Sequence, residues 1–412
     1  MVLTPVRRNV LALGLDYACF LIGMSFASQT TILPAFAAHL GASNVLIGAI
    51  PAVLTLGWFL PSLLAAHHVE GLPRKLPFVL RYTVWERVPM LGLAAVAFLL
   101  ADAAPRLALG LFFALILLMT ATGGTLMPAW MDVIGRAVPT TLRGRFFGVA
   151  NVVAAVGGLL GSVLVAWWLS AVAPPRSYAL CFAAAFVFLA VSYVALATAR
   201  EPAGIPVTAP GRLGAYLRRM PGLLRADADL RWFLAARTAG IVGTMGNGFY
   251  TVYALRALDA QEWHVGAFTT SFLAGQVIGN LALGWLADRA GHRIVLVAGA
   301  AAQTAGALAA LAATSSGALG PVFVLVGVHQ ASMHVSARTI LLEFARDPAQ
   351  RPTYIGLGNT ALAPVTFAGP LAAGVLADHA GFAAVFAASA VTSALAIGVL
   401  LARVREPRAR VR

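Results

Sequence analysis

Residues 258–293 read LDAQEWHVGAFTTSFLAGQVIGNLALGWLADRAGHR, an apolar run that ends in a short charged loop, and residues 40–75 repeat its pattern. The two stretches align without gaps at an offset of 218 residues. The matched pairs are Leu40 with Leu258, Ala42 with Ala260, Gly48 with Gly266, Gly57 with Gly275, Glu70 with Asp288 and Lys75 with Arg293. Self-similarity at a fixed spacing is the mark of a duplicated structural unit. The chain is therefore expected to contain two copies of one fold.

A second block of the chain repeats at an offset of 208 residues. It matches Arg143 with Arg351, Gly148 with Gly356, Asn151 with Asn359 and Gly161 with Gly369. Chance alignment of two regions rich in alanine, leucine and glycine would account for the glycines. It accounts less readily for an acid, a base, an arginine and an asparagine that match in the same order, so we interpret the duplication as real.

The composition places both copies in a membrane. Sixty per cent of the residues are hydrophobic, 11% are charged and the mean hydropathy is +0.84, whereas an ordinary soluble chain is roughly 25% charged. A helix that spans a bilayer needs about 20 apolar residues. Twelve stretches meet that requirement, at approximately 10–35, 45–66, 77–100, 107–131, 146–170, 178–198, 232–255, 265–286, 294–313, 320–343, 354–376 and 381–402. The sequence thus predicts an all-α polytopic membrane protein.

The lysines and arginines predict the orientation of these spans, because such residues are enriched in cytoplasmic loops. Of the 29, the even-numbered connections and the two termini hold 22, and the odd-numbered connections hold three, which are Arg106, Arg176 and Arg256. The remaining four lie within predicted spans. Both termini are therefore expected in the cytoplasm, and we expect a monomer in the inner or plasma membrane of a bacterium.

The net charge of +14 does not indicate a nucleic-acid-binding protein. Its positive residues are dispersed over loops, and no soluble domain is present to form a basic groove. Anionic lipid headgroups are the expected partners. A phosphate-binding loop is excluded because it needs a lysine followed by serine or threonine, and Lys75, the single lysine, precedes Leu76. No cofactor and no metal are expected.

Three motifs together resemble the major facilitator superfamily over essentially the whole chain. Gly284-Trp-Leu-Ala-Asp288-Arg289-Ala-Gly291-His-Arg293 is similar to that family's loop between the second and third helices of a half, and Arg143-Gly-Arg-Phe-Phe-Gly148 to its fourth-to-fifth loop. Pro128-Ala-Trp130-Met-Asp132 resembles a poorly characterised bacterial branch. The first-half copy of the loop motif departs from the pattern, with Ala66 and Pro73 where the second half has glycines.

The resemblance implies twelve transmembrane helices in two pseudo-symmetric halves of six, with alternating access to a site near mid-membrane. We divide the chain into an N-terminal half (1–199), a cytoplasmic linker (200–231) and a C-terminal half (232–412). Apolar residues from Leu213 to Leu224 recur at helical spacing among arginines, which fits an interfacial helix or, equally, a solvated basic linker.

Charged residues at the predicted cytoplasmic loops are candidates for a gate. A carboxylate just outside a membrane helix can meet a helix N-terminus or an arginine, and such contacts must break when that side opens. The candidates are Glu70, Lys75, Arg143, Asp288, Arg289, Arg293 and Arg351. The alternative is that they act as orientation charges, and the repeat favours the gate for Glu70, Asp288 and Arg293.

The resemblance places the first, fourth, seventh and tenth spans around the solute cavity, where polar residues are costly unless they are used. The substrate-binding candidates are Gln29, Thr122, Asn247, His329, Gln330 and His334. Gln330, His334 and Arg338 are spaced by four and so share one helix face. A single buried histidine is ordinarily a satisfied core residue, but three polar residues in one stripe favour function.

Asp16 and Asp132 are the candidates for proton coupling. Asp16 lies about 10 Å into the first span, at roughly 1.5 Å per residue, where an ionised carboxylate needs a cation or water. The alternative is a permanent ion pair with an arginine such as Arg81 or Arg338. The third span carries Arg81, Glu86 and Arg87, which we interpret as a structural ion cluster, with Asp132 as a further candidate member.

The sequence thus predicts a secondary transporter, gradient-driven or facilitative, of a small organic solute, with protons as a candidate coupling ion. Efflux and uptake both remain open. A transporter-like membrane sensor that binds without translocating is one alternative. A polytopic membrane enzyme is another, but the cluster of metal-binding acids or the paired nucleophile and base that it requires is not found, so we do not expect an enzyme.

The orientation can be tested with topology reporters fused along the chain. Fusions after Arg8, near Ala209 and after Arg410 should report a cytoplasmic position, and a fusion near Ala173 should report an external one, because the basic loops stay on the cytoplasmic side. A cytoplasmic signal at Ala173 would contradict the twelve-span topology.

Overall fold

The computed structural model describes residues 5–70, 72–201, 222, 224, 227–337, 339–344 and 351–406. Within these ranges the regular structure is helical, without strands. The helices are α1 (Pro5–Phe26), α2 (Ile32–His39), α3 (Asn44–Glu70), α4 (Leu76–Tyr82), α5 (Val84–Leu99), α6 (Pro105–Ala137), α7 (Thr140–Ala171), α8 (Arg176–Ala197), α9 (Ala228–Gly243), α10 (Asn247–Ala257), α11 (Trp263–Ala290), α12 (His292–Ala312), α13 (Leu319–Ser332), α14 (Thr339–Phe344) and α15 (Arg351–Arg403). A π-helical turn (Met333–Ala337) lies between α13 and α14.

These helices confirm the all-α architecture of twelve spans, although several spans are divided. The first consists of α1 and α2, the third of α4 and α5, the seventh of α9 and α10, and the tenth of α13 and α14. The last two spans run together as α15 and are separated at Gly381, whose φ of +79° is a left-handed conformation that glycine adopts without strain.

The breaks in the first and seventh spans occur at corresponding positions. Residues 27–31 separate α1 from α2, and residues 244–246 separate α9 from α10; at the 218-residue offset the two breaks overlap. A helix end leaves backbone groups without intrahelical partners. Inside a membrane such groups are tolerated only where protein or a cavity surrounds them. Gln29 lies in the first break and Asn247 begins α10 after the second.

The chain packs as two compact units. Unit 1 comprises Met1–Ala42 and Val53–Pro210, and unit 2 comprises Ser43–Ala52 and Gly211–Arg412. The first residues of α3 thus group with unit 2. The predicted domain limits stay a prediction, and most of the predicted linker, with its interfacial helix, lies outside the described residues.

Each unit has an aromatic centre in its own helices. In unit 1, α1 packs on α7 and α8, and α5 on α6 and α8. Phe36 there contacts Phe182, with ring centroids 5.2 Å apart. In unit 2, α9 and α12 pack on α15, and α13 packs on α11 and α12. Tyr250 there contacts Phe386, with centroids 4.8 Å apart.

Within the described residues, eight helices are long and apolar enough to cross a membrane. These helices carry exposed large apolar side chains, such as Leu160, which is 69% exposed, and Val391, which is 67% exposed. Water would make such a surface costly, whereas lipid acyl chains are its natural solvent.

Close packing between α3 and α6 gives a stability prediction. A Cβ added at Gly124 would lie 2.6 Å from the backbone oxygen of Trp58 and nearer still to that of Gly57, and backbone atoms cannot rotate away. Gly124→Ala should lower the melting temperature in detergent by overpacking, at about 1–3 kcal/mol.

Gly110 on the same helix is the matched control, because a Cβ there would meet nothing within 4 Å. Gly110→Ala should leave the melting temperature unchanged or raise it, since alanine favours helix. Equal shifts for the two variants would show that this helix contact does not limit stability.

Candidate functional site

A buried charge cluster lies within unit 1, between α1, α5, α6 and α8. Asp16 Oδ1 accepts hydrogen bonds from Arg87 Nη2 at 3.1 Å and from Ser192 Oγ at 2.6 Å. Asp16 Oδ2 accepts one from Trp130 Nε1 at 2.9 Å. The side chains of Asp16 and Arg87 are 3% and 6% exposed, so this ion pair is inside the protein.

Glu86 is the second carboxylate of this cluster. Its Oε2 accepts from Thr83 Oγ1 at 2.9 Å and from Arg87 Nη1 at 3.2 Å. Arg87 also donates through Nε to the Leu189 backbone oxygen at 3.0 Å and contacts Thr83. The helix break at Thr83 places Glu86 in the first turn of α5, where the helix N-terminus favours a carboxylate. Two buried carboxylates therefore share one guanidinium.

The sequence predicted an ion cluster of Arg81, Glu86 and Arg87, with Asp132 as a further candidate, and the observed cluster has different members. Glu86 and Arg87 meet Asp16, and the arginine that pairs with Asp16 is neither Arg81 nor Arg338. Arg81 is exposed, with its guanidinium 5.6 Å from the Tyr82 ring centroid, and Arg338 lies outside the described residues. Proton coupling at Asp16 stays a prediction.

Asp132, the other coupling candidate, belongs to a separate ionic cluster at one end of the helices of unit 1. Its Oδ2 lies 2.7 Å from Lys75 Nζ and 2.7 Å from Arg136 Nε. Glu201, just after α8, joins the cluster because its Oε1 lies 3.4 Å from Arg136 Nη1. Its Oε2 accepts from the backbone nitrogens of Lys75 and Leu76, both at 2.7 Å.

Unit 2 repeats this arrangement with Glu406, just after α15. Glu406 accepts from the backbone nitrogens of His292 at 3.4 Å and Arg293 at 2.8 Å, at the start of α12. Arg293 Nη1 returns a hydrogen bond of 2.8 Å to the Val404 oxygen. In each unit, a carboxylate just after the last span accepts hydrogen bonds from free N–H groups at the start of another span. Glu201 follows the sixth span and binds the start of the third, and Glu406 follows the twelfth span and binds the start of the ninth.

The sequence reasoning missed Glu201 and Glu406, although a signal for them was present. Each stands in an Arg-Glu-Pro tripeptide, at 200–202 and at 405–407, directly after the last span of its half. This repeat has an offset of 205 residues, which differs from the offsets of 218 and 208 residues that revealed the duplication.

The remaining gate candidates have varied surroundings. Arg143 donates through Nε to the Val138 oxygen at 3.1 Å and contacts the Gly135 oxygen, so it binds the carbonyl end of α6. Asp288 is exposed near the end of α11, and Arg289 stacks on Trp285 with its guanidinium carbon 3.9 Å from the ring centroid. The side chains of Glu70 and Arg351 lie outside the described residues.

Polar residues also meet inside unit 2, where the seventh span is broken. Asn247 Oδ1 accepts from Gln303 Nε2 at 2.8 Å, and the same amide donates to the Gly243 oxygen at 3.1 Å. Gln303, which sequence reasoning missed, is fully buried on α12. It satisfies a carbonyl that the end of α9 leaves free.

The substrate-binding candidates of the tenth span separate into two environments. His329 is buried, and its Nδ1 donates to the Gly299 oxygen at 2.9 Å, as in a satisfied core histidine. Gln330 Nε2 donates to His334 Nε2 at 3.1 Å, and His334 lies exposed in the π-helical turn. Gln29 is exposed in the break after α1, and Thr122 is half-buried on α6. Substrate binding by these six residues stays a prediction.

Comparison with known proteins assigns the fold. The family model described as Major Facilitator Superfamily matches residues 233–412, slightly less than half of the chain. No curated protein sequence matches. A variant of the nucleoside transporter NupG is 14% identical in sequence, covering 96% of this chain and 100% of its own, with a TM-score of 0.72.

Two further solved structures are similar over nearly their whole length. The D-xylose-proton symporter is 13% identical, with a TM-score of 0.69, covering 97% of this chain and 99% of its own. A POT family transporter in complex with a thioalcohol-conjugated peptide is 11% identical, with a TM-score of 0.71, covering 97% of this chain and 98% of its own.

The duplicated twelve-span fold and these similarities define an integral membrane protein with the fold of the transporters named above. The second half of the chain matches the Major Facilitator Superfamily by sequence, and the whole chain has the fold of that superfamily.

The shared guanidinium predicts a large and pH-dependent stability effect. Arg87→Gln should cost about 3–5 kcal/mol, because it leaves two buried carboxylates without their cation. Protonation neutralises those carboxylates, so the loss of melting temperature relative to the wild type should shrink from about pH 8 to about pH 5.

Arg81→Gln is the control for this measurement, because Arg81 is exposed and lies just before the same helix. It should change the melting temperature little at any pH. A deficit in Arg87→Gln that does not vary with pH would show that the carboxylates are not what Arg87 stabilises.

Proposed function

We propose that the chain is a proton-coupled transporter and that the Asp16–Glu86–Arg87 cluster binds the exchangeable proton. The observation that carries the proposal is that two buried carboxylates share a single buried guanidinium. An excess negative charge inside a membrane protein is expensive. One proton bound to the cluster restores neutrality.

Glu86 is the carboxylate that we propose to hold this proton. Asp16 receives hydrogen bonds from three different side chains, which stabilise its ionised form. Glu86 shares Arg87 with Asp16 and otherwise accepts from the Thr83 hydroxyl on the same oxygen. Its other oxygen, Oε1, faces Gly123, where a Cβ would lie 2.6 Å away. The absence of a side chain at residue 123 leaves space next to that oxygen.

The similar structures suggest which solutes to assay first. Their names include nucleosides, D-xylose with protons, and a peptide. We take nucleosides, pentoses and short peptides as the first solutes to assay. The six polar candidates in the first, fourth, seventh and tenth spans remain the residues proposed to bind solute.

For its location we propose the inner membrane of a bacterium, with both termini in the cytoplasm. On that orientation the Glu201 and Glu406 clusters lie at the cytoplasmic end of each unit. They stabilise the starts of α4 and α12, next to the loops that carry the gate candidates Glu70 and Asp288.

Transport in proteoliposomes tests the coupling. The wild type should accumulate a transported solute when a proton gradient is imposed. Glu86→Gln mimics the protonated side chain, and should still exchange solute between equal pools while losing gradient-driven accumulation. Asp102→Asn, in an exposed loop, should behave as the wild type.

Asp16→Asn distinguishes the roles of the two carboxylates. It removes the partner of Arg87 and leaves Glu86 to form the ion pair, so gradient-driven accumulation should also fall. Accumulation that survives in both variants would refute proton coupling at this cluster. If the protein binds solutes but translocates none under any gradient, the alternative of a membrane sensor is correct.

A further inference from the structure

Three aromatic side chains and an asparagine meet on one face of unit 1. The Tyr17 ring of α1 contacts the Trp130 ring of α6 and the Phe147 ring of α7, with centroid distances of 5.7 Å and 5.6 Å. All three rings are partly exposed. Tyr17 Oη donates a hydrogen bond of 3.3 Å to Oδ1 of Asn151, an exposed residue of α7. These four residues form what we call the aromatic patch.

The aromatic patch lies away from the side of α7 that suits lipid. Asn151 is within Arg145–Ala171, a segment long and apolar enough to cross a membrane, and an exposed amide among acyl chains is costly. The helix has another exposed face, formed by the aliphatic Val149, Val156 and Leu160. Positions 149 and 151 point to nearly opposite sides of a helix with 3.6 residues per turn. The aliphatic face therefore suits lipid, and the face with Asn151 suits a polar solute.

Packing of the duplicated fold does not require these rings. At the 218-residue offset Ala235 corresponds to Tyr17, and at the 208-residue offset Ile355 corresponds to Phe147. The second half of the chain thus fills the equivalent positions without aromatic side chains. A ring that served packing alone would also be expected to be buried, whereas the rings of the aromatic patch are partly exposed.

Hydrogen bonds hold the aromatic patch in place. Trp130 Nε1 donates to Asp16 Oδ2 at 2.9 Å, and the Tyr17 hydroxyl is bonded to Asn151. Side chains that are fixed before binding lose little conformational entropy when a ligand arrives. Exposed aromatic rings stack with planar ligand rings. The carboxamide of Asn151 has two N–H donors and a second oxygen lone pair, which can meet polar atoms at the edge of such a ring.

We propose that the aromatic patch binds a solute with a planar heteroaromatic ring, of the kind found in nucleobases and pyridine carboxamides. The ring of the solute stacks on the aromatic side chains, and its polar edge meets Asn151, as asparagine meets the edge of adenine. The inference rests on the proposal that the chain transports a small solute, and it names the class of that solute. It does not depend on proton coupling at Glu86.

Ligand-induced stabilisation of the purified full-length protein in a non-ionic detergent tests this proposal. Adenosine, uridine and nicotinamide carry planar rings, and each should raise the melting temperature saturably. Ribose, which has no such ring, and cyclohexanecarboxamide, whose ring is saturated and not planar, should leave the melting temperature unchanged.

Variants of the rings locate the binding. Tyr17→Leu should weaken adenosine binding on the order of tenfold, since stacking of a base on an aromatic side chain is worth about that much. Tyr17→Phe restores the ring and should recover most of the affinity. Phe147→Leu makes the same test at a second ring if Tyr17→Leu does not fold. Phe98→Leu is the matched control and should bind adenosine as the wild type does, because Phe98 is 61% exposed on α5, outside the aromatic patch.

Three outcomes would overturn the proposal. They are no stabilisation by any planar probe, equal stabilisation by cyclohexanecarboxamide and nicotinamide, and equal adenosine affinity in the wild type, Tyr17→Leu and Phe147→Leu. The measurement imposes no gradient, so it is independent of proton coupling. Binding that needs the rings, together with gradient-driven accumulation that survives in Glu86→Gln and Asp16→Asn, would support the solute site and contradict only the coupling.

Discussion

A charge buried in a membrane protein has to find its counter-charge inside the protein, because lipid cannot solvate it. This constraint organises the interior of unit 1. Asp16, Glu86 and Arg87 come from two different spans, and the hydroxyls of Thr83 and Ser192 and the indole of Trp130 complete their hydrogen bonds. Because two acids meet one base, the cluster is balanced only when a proton is present. The same requirement for balance makes the cluster both a structural centre and a candidate for coupling.

The same constraint applied to unit 2 gives a different result. There Arg237 lies against Met333, and the buried side chains of His329 and Gln303 donate hydrogen bonds to backbone carbonyls. Among the described residues, two carboxylates pair with the buried Arg87 of unit 1, whereas none pairs with the half-buried Arg237 of unit 2.

Backbone groups obey the same rule as side-chain charges. The breaks in the first and seventh spans and the starts of α4 and α12 leave N–H and carbonyl groups free. Gln303 serves the end of α9, and Glu201 and Glu406 serve the two helix starts. Each of these side chains bonds to a helix end that is distant from it in the sequence, and so it connects the ends of two spans.

The sequence by itself determined the architecture. Apolar runs of about 20 residues are long enough to predict spans without knowledge of their packing, and the repeat revealed two halves because equivalent positions keep equivalent residues. It also singled out Asp16, Glu86 and Arg87 as costly residues. Only the tertiary structure decided that Arg87 is the partner of Asp16 and that Asp132 meets Lys75 and Arg136. Hydropathy is a property of one segment at a time, whereas an ion pair depends on which faces of separate helices meet, and that is settled by packing.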